Sequence, residues 1–299
     1  MRTVGFIGLG AMGMPMARHL ITAGFETRGF DLRVSARTAF EAAGGTGIDS
    51  AESVARDADA LVLMVVNSAQ VEDALFRAGA LNTLPHGAVV ILGSTCSASF
   101  VRTLAERVHA AGRRFLDAPV SGGVVGAQAG TLSIMAAGPA DVLEAVRPIL
   151  KAFGDKVFHV GSHPGQGAAM KTLNQLLCGV HAAVAAETLA LAEKIGVDGE
   201  MAVEILKGSA AASWMLQDRG PQMLQTEPEV TSTVDIFVKD LGMVLDLGRE
   251  AKAALPIAAA AYQMFVSASA CGGGRADDSQ VIRSYRLMNG GPRRGESGE

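Results

Sequence analysis

Short apolar runs alternate with amphipathic stretches through the first half of the chain. Beyond Gly165 the runs give way to long helical patterns. Arg2 to Ile7 is an apolar run closed by glycine and predicts a strand. A helix follows through about Thr22, Gly24 ends it, and Glu26 to Phe30 predicts a second strand closing on Asp31. Ser50 to Asp57 predicts a short helix with Ser50 as its N-cap. Ala60 to Val66 (ALVLMVV) is the unbroken apolar run expected of a parallel strand buried on both faces. Helices over Ala69 to Ala78, Ser97 to about Ala111 and Asp141 to Phe153 alternate with strands at Ala88 to Leu92, Phe115 to Asp117, Thr131 to Ala137 and Val157 to Val160. Ser121 to Gly130 (SGGVVGAQAG) holds four glycines and reads as a loop.

Such alternation predicts an α/β fold with a doubly wound parallel Rossmann-type sheet over residues 1–163. A long helix over about 167–195 comes next, and only helical patterns follow it. An all-helical C-terminal domain is expected over 164–288, joined to the first by this interdomain helix. The stretch 289–299 (NGGPRRGESGE) is polar and glycine-rich and is expected to be a disordered tail.

Composition narrows the partners more than the fold. A net charge of −4 argues against nucleic acid or an anionic membrane as partner. Three cysteines show neither metal nor disulfide spacing, so a reducing, cytoplasmic setting is expected, and the histidines have no ligand spacing, so no metal is expected. His181, Glu187 and Glu193 interrupt the long helix, the stretch nearest to a membrane span. The alanine-rich face of that helix predicts a homodimer or homotetramer built through the helical domain.

Gly8-Leu9-Gly10-Ala11-Met12-Gly13 stands between a strand and a helix. It is the dinucleotide fingerprint in the context that gives it meaning: glycines for the turn and the approach of pyrophosphate, and a helix N-terminus facing the phosphates. Asp31, at the end of the second strand, is placed to accept from the adenosine ribose hydroxyls, which favours NAD over NADP; Arg33, two residues on, is placed to meet a 2′-phosphate. Met12, Met14 and Met16 read as packing of the first helix.

Lys171, Asn174 and Gln175 share one face of the long helix at spacings of three and four. A lysine in the first turns opposes the helix dipole, which favours a use other than stability. An amine takes a hydroxyl proton during hydride transfer when burial and a cationic neighbour depress its pKa. Asn174 offers an amide for a substrate hydroxyl or carboxylate. His181 is an alternative base, although mid-helix among alanines it reads better as a core or interface residue. The Ser121 loop suits a carboxylate through backbone N–H groups and a hydroxyl.

With these residues in place, the sequence resembles the β-hydroxyacid dehydrogenases, the family of 3-hydroxyisobutyrate dehydrogenase and tartronate semialdehyde reductase. Four ordered motifs carry the resemblance: Phe6 to Gly13, Asp117-Ala-Pro-Val-Ser-Gly-Gly123, Gly167-Ala-Ala-Met-Lys-Thr-Leu-Asn-Gln175, and Lys239-Asp240-Leu241. It implies Lys171 as the catalytic acid/base and Ser121, Gly122, Gly123 and Asn174 as substrate contacts. It places Thr95 and Lys239 at the nicotinamide end, with Val65 and Val66 as backbone contacts to the cofactor. Within the family, Val65 to Gln70, Asn174 to His181 and Asp277-Asp278-Ser279 are similar to the branch that oxidises four-carbon sugar acids with NAD. There Asn67, beside the cofactor contacts, and Gln175 would add polar contacts for a polyhydroxylated chain. The expected substrate is L-threonate or D-erythronate. Two alternatives stand beside it: 3-hydroxyisobutyrate or tartronate semialdehyde as substrate, and a non-catalytic dinucleotide-binding assembly module.

Overall fold

A computed structural model describes residues 1–290, so most of the tail expected for 289–299 lies outside the described residues. The described chain divides into two compact units, the first ending at Lys171 and the second beginning at Thr172.

The first unit opens with β1 (Thr3–Ile7), α1 (Gly13–Thr22), β2 (Glu26–Phe30), α2 (Val34–Ala42), β3 (Thr46–Gly47), α3 (Ala51–Ala55) and β4 (Ala60–Leu63). Then come α4 (Ser68–Glu72), α5 (Ala80–Thr83), β5 (Val89–Leu92), α6 (Ala98–Ala110) and β6 (Arg114–Asp117). It closes with β7 (Val120–Ser121), α7 (Gly123–Ala129), β8 (Ser133–Ala137), α8 (Ala140–Phe153), β9 (Lys156–Gly161) and the start of α9 (Gln166–Lys194). Six strands run parallel in the order β3-β2-β1-β4-β5-β6. The far edge departs from the all-parallel expectation: β8 runs antiparallel to β6 and β7, and β9 pairs in parallel with β8. Pro119, which has no N–H, follows β6, and its carbonyl accepts from Met135 N–H at 2.9 Å, seeding the local antiparallel ladder.

Both sheet faces are covered, as the unbroken apolar runs require. Val4, Phe6, Val62 and Ile91 pack into one core, and Ile7, Leu61, Leu63, Val90 and Leu92 into the other. Register decides where chemistry gathers. Ile7 pairs with Phe30 and Leu63, Leu63 with Leu92, and Leu92 with Asp117. The carboxyl ends of five strands are therefore level, and Gly8, Asp31, Val65, Thr95 and Ser121 all follow that edge within a few residues.

Three local expectations are corrected. The four-glycine stretch is not a loop: Gly123–Ala129 is helical, because Gly126 and Ala127 are buried and an added Cβ on Gly126 would already touch Leu132. Tertiary packing overrides the poor helix propensity of glycine there. The strand expected to reach Val66 ends at Leu63, and the helix expected over 69–78 turns π-helical across Asp73–Arg77. α2, which carried no clear sequence signal, packs the fully buried Phe40 beneath Gly29 and Gly45.

In the second unit α9 is followed by α10 (Gly199–Lys207), α11 (Trp214–Met223), α12 (Val234–Glu250), α13 (Pro256–Ala268) and α14 (Ile282–Met288). Asp198 and Ser213 cap α10 and α11, accepting from Met201 and Leu216 N–H at 2.8 and 3.1 Å. By length and a mean hydropathy of 1.4, α9 meets the measure of a membrane span, yet half of that window is buried inside the protein. Its alanines explain this. Ala182, Ala183, Ala185, Ala186 and Ala190 are buried in the helical core, so the alanine-rich face expected to be open for assembly is instead covered within the chain, and a Cβ on Gly179 would strike Leu241 of α12 at 2.8 Å. Small side chains bring the two helices close.

Candidate functional site

The Gly8–Gly13 turn has a different reason for each glycine. Gly8 has φ +98°, and a Cβ there would lie 2.3 Å from Met64 O. A Cβ on Gly13 would fall 1.8 Å from Gly8 O, so α1 can reach the strand only with glycine at that point. Gly10 faces open space, with nothing within 4 Å of an added Cβ. Packing of the protein therefore does not demand glycine at position 10, and the backbone there is open to close approach. That combination fits the pyrophosphate of a nicotinamide dinucleotide.

Asp31 stands beside this turn. Its Oδ2 accepts from Leu9 N–H at 2.9 Å, and its Oδ1 accepts from the Arg33 backbone N–H at 2.9 Å and Nε at 3.0 Å. Burial works to raise its pKa, but these Arg33 and Leu9 hydrogen bonds and the Arg33 charge prevail and hold the carboxyl below its ordinary value. The carboxylate is thus ionised and fixed, while the Arg33 side chain is exposed at its far side.

The turn after β4 is held from two directions that the sequence reading missed. Ser94 Oγ accepts from Val65 N–H at 2.8 Å, and Gln70 Oε1 accepts from Val66 N–H at 2.9 Å. Asn67 caps α4 by accepting from Gln70 N–H at 3.0 Å. Val65, Val66 and Asn67 so form a shelf at the edge, the first two with their N–H groups held, and Thr95 follows Ser94 in the chain. Ser121, Gly122 and Gly123 lead into α7, with the two glycines at φ +130° and +62°. His19, whose ring sits 2.9 Å from Gln128 O, ties α1 to the far end of α7.

Lys171 is the sixth residue of α9 and only 7% exposed. The turn before it is anchored by Asp117, a residue quoted in a motif but given no role. The Asp117 carboxylate is 1% exposed. Its Oδ2 accepts from Gly165 and Ala168 N–H, each at 2.9 Å, and Gly167 N–H also donates to this carboxylate. Burial pushes its pKa up to about 6, against the opposing pull of these three N–H groups. The ordinary value is 3.8, so the folded protein keeps this proton to higher pH than the unfolded chain. As pH rises from 4 through 6, the contribution lowers stability by about 3 kcal/mol at most, and the full penalty remains above that range. Other carboxylates titrate in the same window, so the prediction concerns a difference. The urea midpoint of Asp117→Asn relative to wild type is expected to rise between pH 4.5 and 7.5. Parallel pH profiles for the two proteins would contradict it.

Within the second unit, Asn174 Nδ2 donates to Gln175 Oε1 at 2.9 Å and Gln175 Nε2 donates to Asp240 Oδ2 at 2.5 Å. Lys239 pairs with Asp240 Oδ1. Gln175 is buried and spends its amide inside the protein, whereas Asn174 is half-buried. The Asp277-Asp278-Ser279 stretch serves the fold: Asp277 accepts from Thr231 N–H at 3.0 Å, and Asp278 sits beside the buried Arg219. His181, the alternative base, is exposed, and among the described residues no cluster of His, Cys, Asp or Glu could hold a metal ion.

Comparison with known proteins places the chain among relatives over nearly its whole length. The family described as the NAD binding domain of 6-phosphogluconate dehydrogenase matches residues 3–161. That described as NAD-binding of NADP-dependent 3-hydroxyisobutyrate dehydrogenase matches 165–285. An L-threonate dehydrogenase of Cupriavidus necator is 42% identical over 285 residues, 95% of this chain and 96% of its own. A 3-hydroxyisobutyrate dehydrogenase of Pseudomonas aeruginosa is 36% identical over 273 residues, 89% of this chain and 91% of its own. The crystal structure of 3-hydroxyisobutyrate dehydrogenase from Salmonella typhimurium superposes with a TM-score of 0.91 at 39% identity, covering 95% of this chain and 99% of that one.

Proposed function

Since the chain belongs to the β-hydroxyacid dehydrogenases related to 3-hydroxyisobutyrate dehydrogenase, and is thus an oxidoreductase that uses a nicotinamide dinucleotide, we propose that it oxidises a small 3-hydroxy acid with Lys171 as general acid/base. The favoured substrate is a four-carbon sugar acid, L-threonate or D-erythronate. The observation that carries the mechanism is the burial of an amine in the first turns of α9 with an amide three residues on. The similarity to L-threonate dehydrogenases supports the substrate class.

A bound nicotinamide ring supplies the acceptor for the hydride. Lys171 Nζ takes the proton of the substrate hydroxyl, and its burial keeps water from competing for that proton. Ser121 Oγ and the backbone N–H groups of Gly122 and Gly123 hold the substrate carboxylate. Asn174 hydrogen-bonds a substrate hydroxyl, and Gln175 keeps the Asn174 amide oriented from its own bond to Asp240. Gly8 to Gly13, Asp31 and the Val65–Asn67 shelf hold the dinucleotide, with Thr95 and Lys239 at its nicotinamide end. We assign dinucleotide binding to residues 1–163, and substrate binding and assembly to 164–288.

The fixed, ionised Asp31 supports NAD over NADP, because it repels a 2′-phosphate. Asp31→Asn, which removes the carboxylate that pairs with Arg33 and leaves that guanidinium its bond to Leu9 O, is expected to shift the NAD:NADP ratio of kcat/KM toward NADP by about ten- to a hundredfold, roughly 1–3 kcal/mol. An unchanged ratio would count against the assignment. A panel of hydroxy acids assayed with NAD and NADP tests the substrate. Turnover confined to 3-hydroxyisobutyrate or tartronate semialdehyde would favour those alternatives, and cofactor binding without any turnover would favour a binding module.

Leu173, Leu177, Val184 and Leu191 form an apolar stripe along α9 that Ile195 continues just past its end, each at least 50% exposed in the single chain. This supports a homodimer or homotetramer assembled through the helical unit, in a protein we place in the cytoplasm on its cysteine pattern alone. Light scattering at micromolar concentration should give a multiple of 30.8 kDa, and a monomeric mass would refute it.

A further inference from the structure

We infer that Asp117 is the positioning residue for the acid/base lysine, acting through the first turn of α9 rather than on substrate or cofactor. The inference rests on the proposed role of Lys171. Three N–H groups at the start of α9 converge on one buried carboxylate, those of Gly165, Gly167 and Ala168. Gly167 and Ala168 lie four and three residues before Lys171 and so share its helix face. Long helical side chains lean toward the N-terminus and cover the preceding turn. The stem of Lys171 is thereby laid over the turn that Asp117 grips.

The fit around that turn leaves no slack. Gly165 has φ +95°, and a Cβ there would meet Ala98 O at 2.9 Å. A Cβ on Gly167 would lie 2.5 Å from Met135 O and 2.9 Å from Asp117 Oδ2. Helix start, carboxylate and β8 backbone are in mutual contact, so the start of α9 cannot shift without breaking the contacts with Asp117. Asp117 itself ends β6, whose register with β5 is fixed by the Leu92 pairing. The sheet edge that carries the dinucleotide turn thus bears on the height and rotation of Lys171, with Asp117 the side chain that grips the turn and Ala98 and Met135 backbone closing it from beside. A 1 Å misplacement of a catalytic group costs on the order of a hundredfold in rate.

The test is a double-mutant cycle between positions 117 and 171, read as kcat, KM and the NAD dissociation constant per folded enzyme at pH 8, well below each variant's melting temperature. Asp117→Ala should lower kcat about a hundredfold, and Asp117→Asn, which keeps a neutral acceptor for the N–H groups, about tenfold. Cofactor affinity should stay within about threefold in both. Gly167→Ala, which pushes the same turn away, should resemble Asp117→Ala and stands in for it where the alanine variant does not fold. In a Lys171→Ala background the Asp117 substitutions should change the residual rate by less than about twofold, because the group they position is gone. Equal losses in both backgrounds would overturn the inference while leaving the role of Lys171 intact. So would wild-type kcat in Asp117→Ala accompanied only by a lower melting temperature. Wild-type turnover by Lys171→Ala alone would remove the acid/base reading, and this inference with it.

Discussion

Lys171→Ala is expected to lower kcat by about three to four orders of magnitude and leave the NAD dissociation constant nearly unchanged. General acid–base catalysis contributes about 10²–10⁴-fold where the group is well placed, and a buried amine with a fixed helix beneath it belongs at the upper end. The Gly8–Gly13 turn is shaped by its own glycines and by Asp31, so dinucleotide binding should be spared. The residual rate should no longer follow the titration of the amine. Lys171→Arg is expected to recover little, since a guanidinium does not release its proton near neutral pH and its planar fork is bulkier than an ammonium. The split between a lost kcat and a kept cofactor affinity separates a group that moves a proton from one that only packs.

Gly13→Ala should have the second largest effect, and on the other half of the reaction. An added Cβ would fall 1.8 Å from Gly8 O, and backbone cannot yield as a flexible side chain can. Either α1 moves away from β1 or the turn opens. Both outcomes displace the N–H groups meant for pyrophosphate, so NAD affinity should fall by at least about a hundredfold, roughly 3 kcal/mol. Stability should fall by about 2–4 kcal/mol, as for other overpacked or strained positions. Gly10→Ala is the informative control: an added Cβ there meets no protein atom, so it should weaken NAD binding with little change in melting temperature. If Gly10→Ala lowered stability and spared binding, the reading of the turn as a dinucleotide cradle would fail.

The dinucleotide turn, the sheet strands and the long helix were legible because their signals are local. Glycine spacing, unbroken apolar runs and a polar trio at helical intervals need no knowledge of distant residues. What escaped was held by contacts far apart in sequence. Asp117 caps α9 from 48 residues away, Ser94 holds Val65 from 29, and Gln175 reaches Asp240 across 65. None of these pairings leaves a periodic trace. The helix over Gly123–Ala129 was hidden by its own glycines, whose low propensity is overcome only once Leu132 packs against them. The face of Lys171, Asn174 and Gln175 was legible, but not the division of labour within it. Gln175 Nε2 donates to Asp240, and Asn174 Nδ2 donates to Gln175 Oε1 and Cys178 Sγ, pairings that helical spacing alone does not show.

Single-turnover formation of NADH, with NAD and L-threonate both saturating, isolates the chemical step on which all of this converges. With Lys171→Ala the rate of that step should fall at least a thousandfold below wild type, about 4 kcal/mol, while bound NAD stays stoichiometric. A variant that forms NADH within tenfold of the wild-type rate would contradict the assignment of the proton to Lys171.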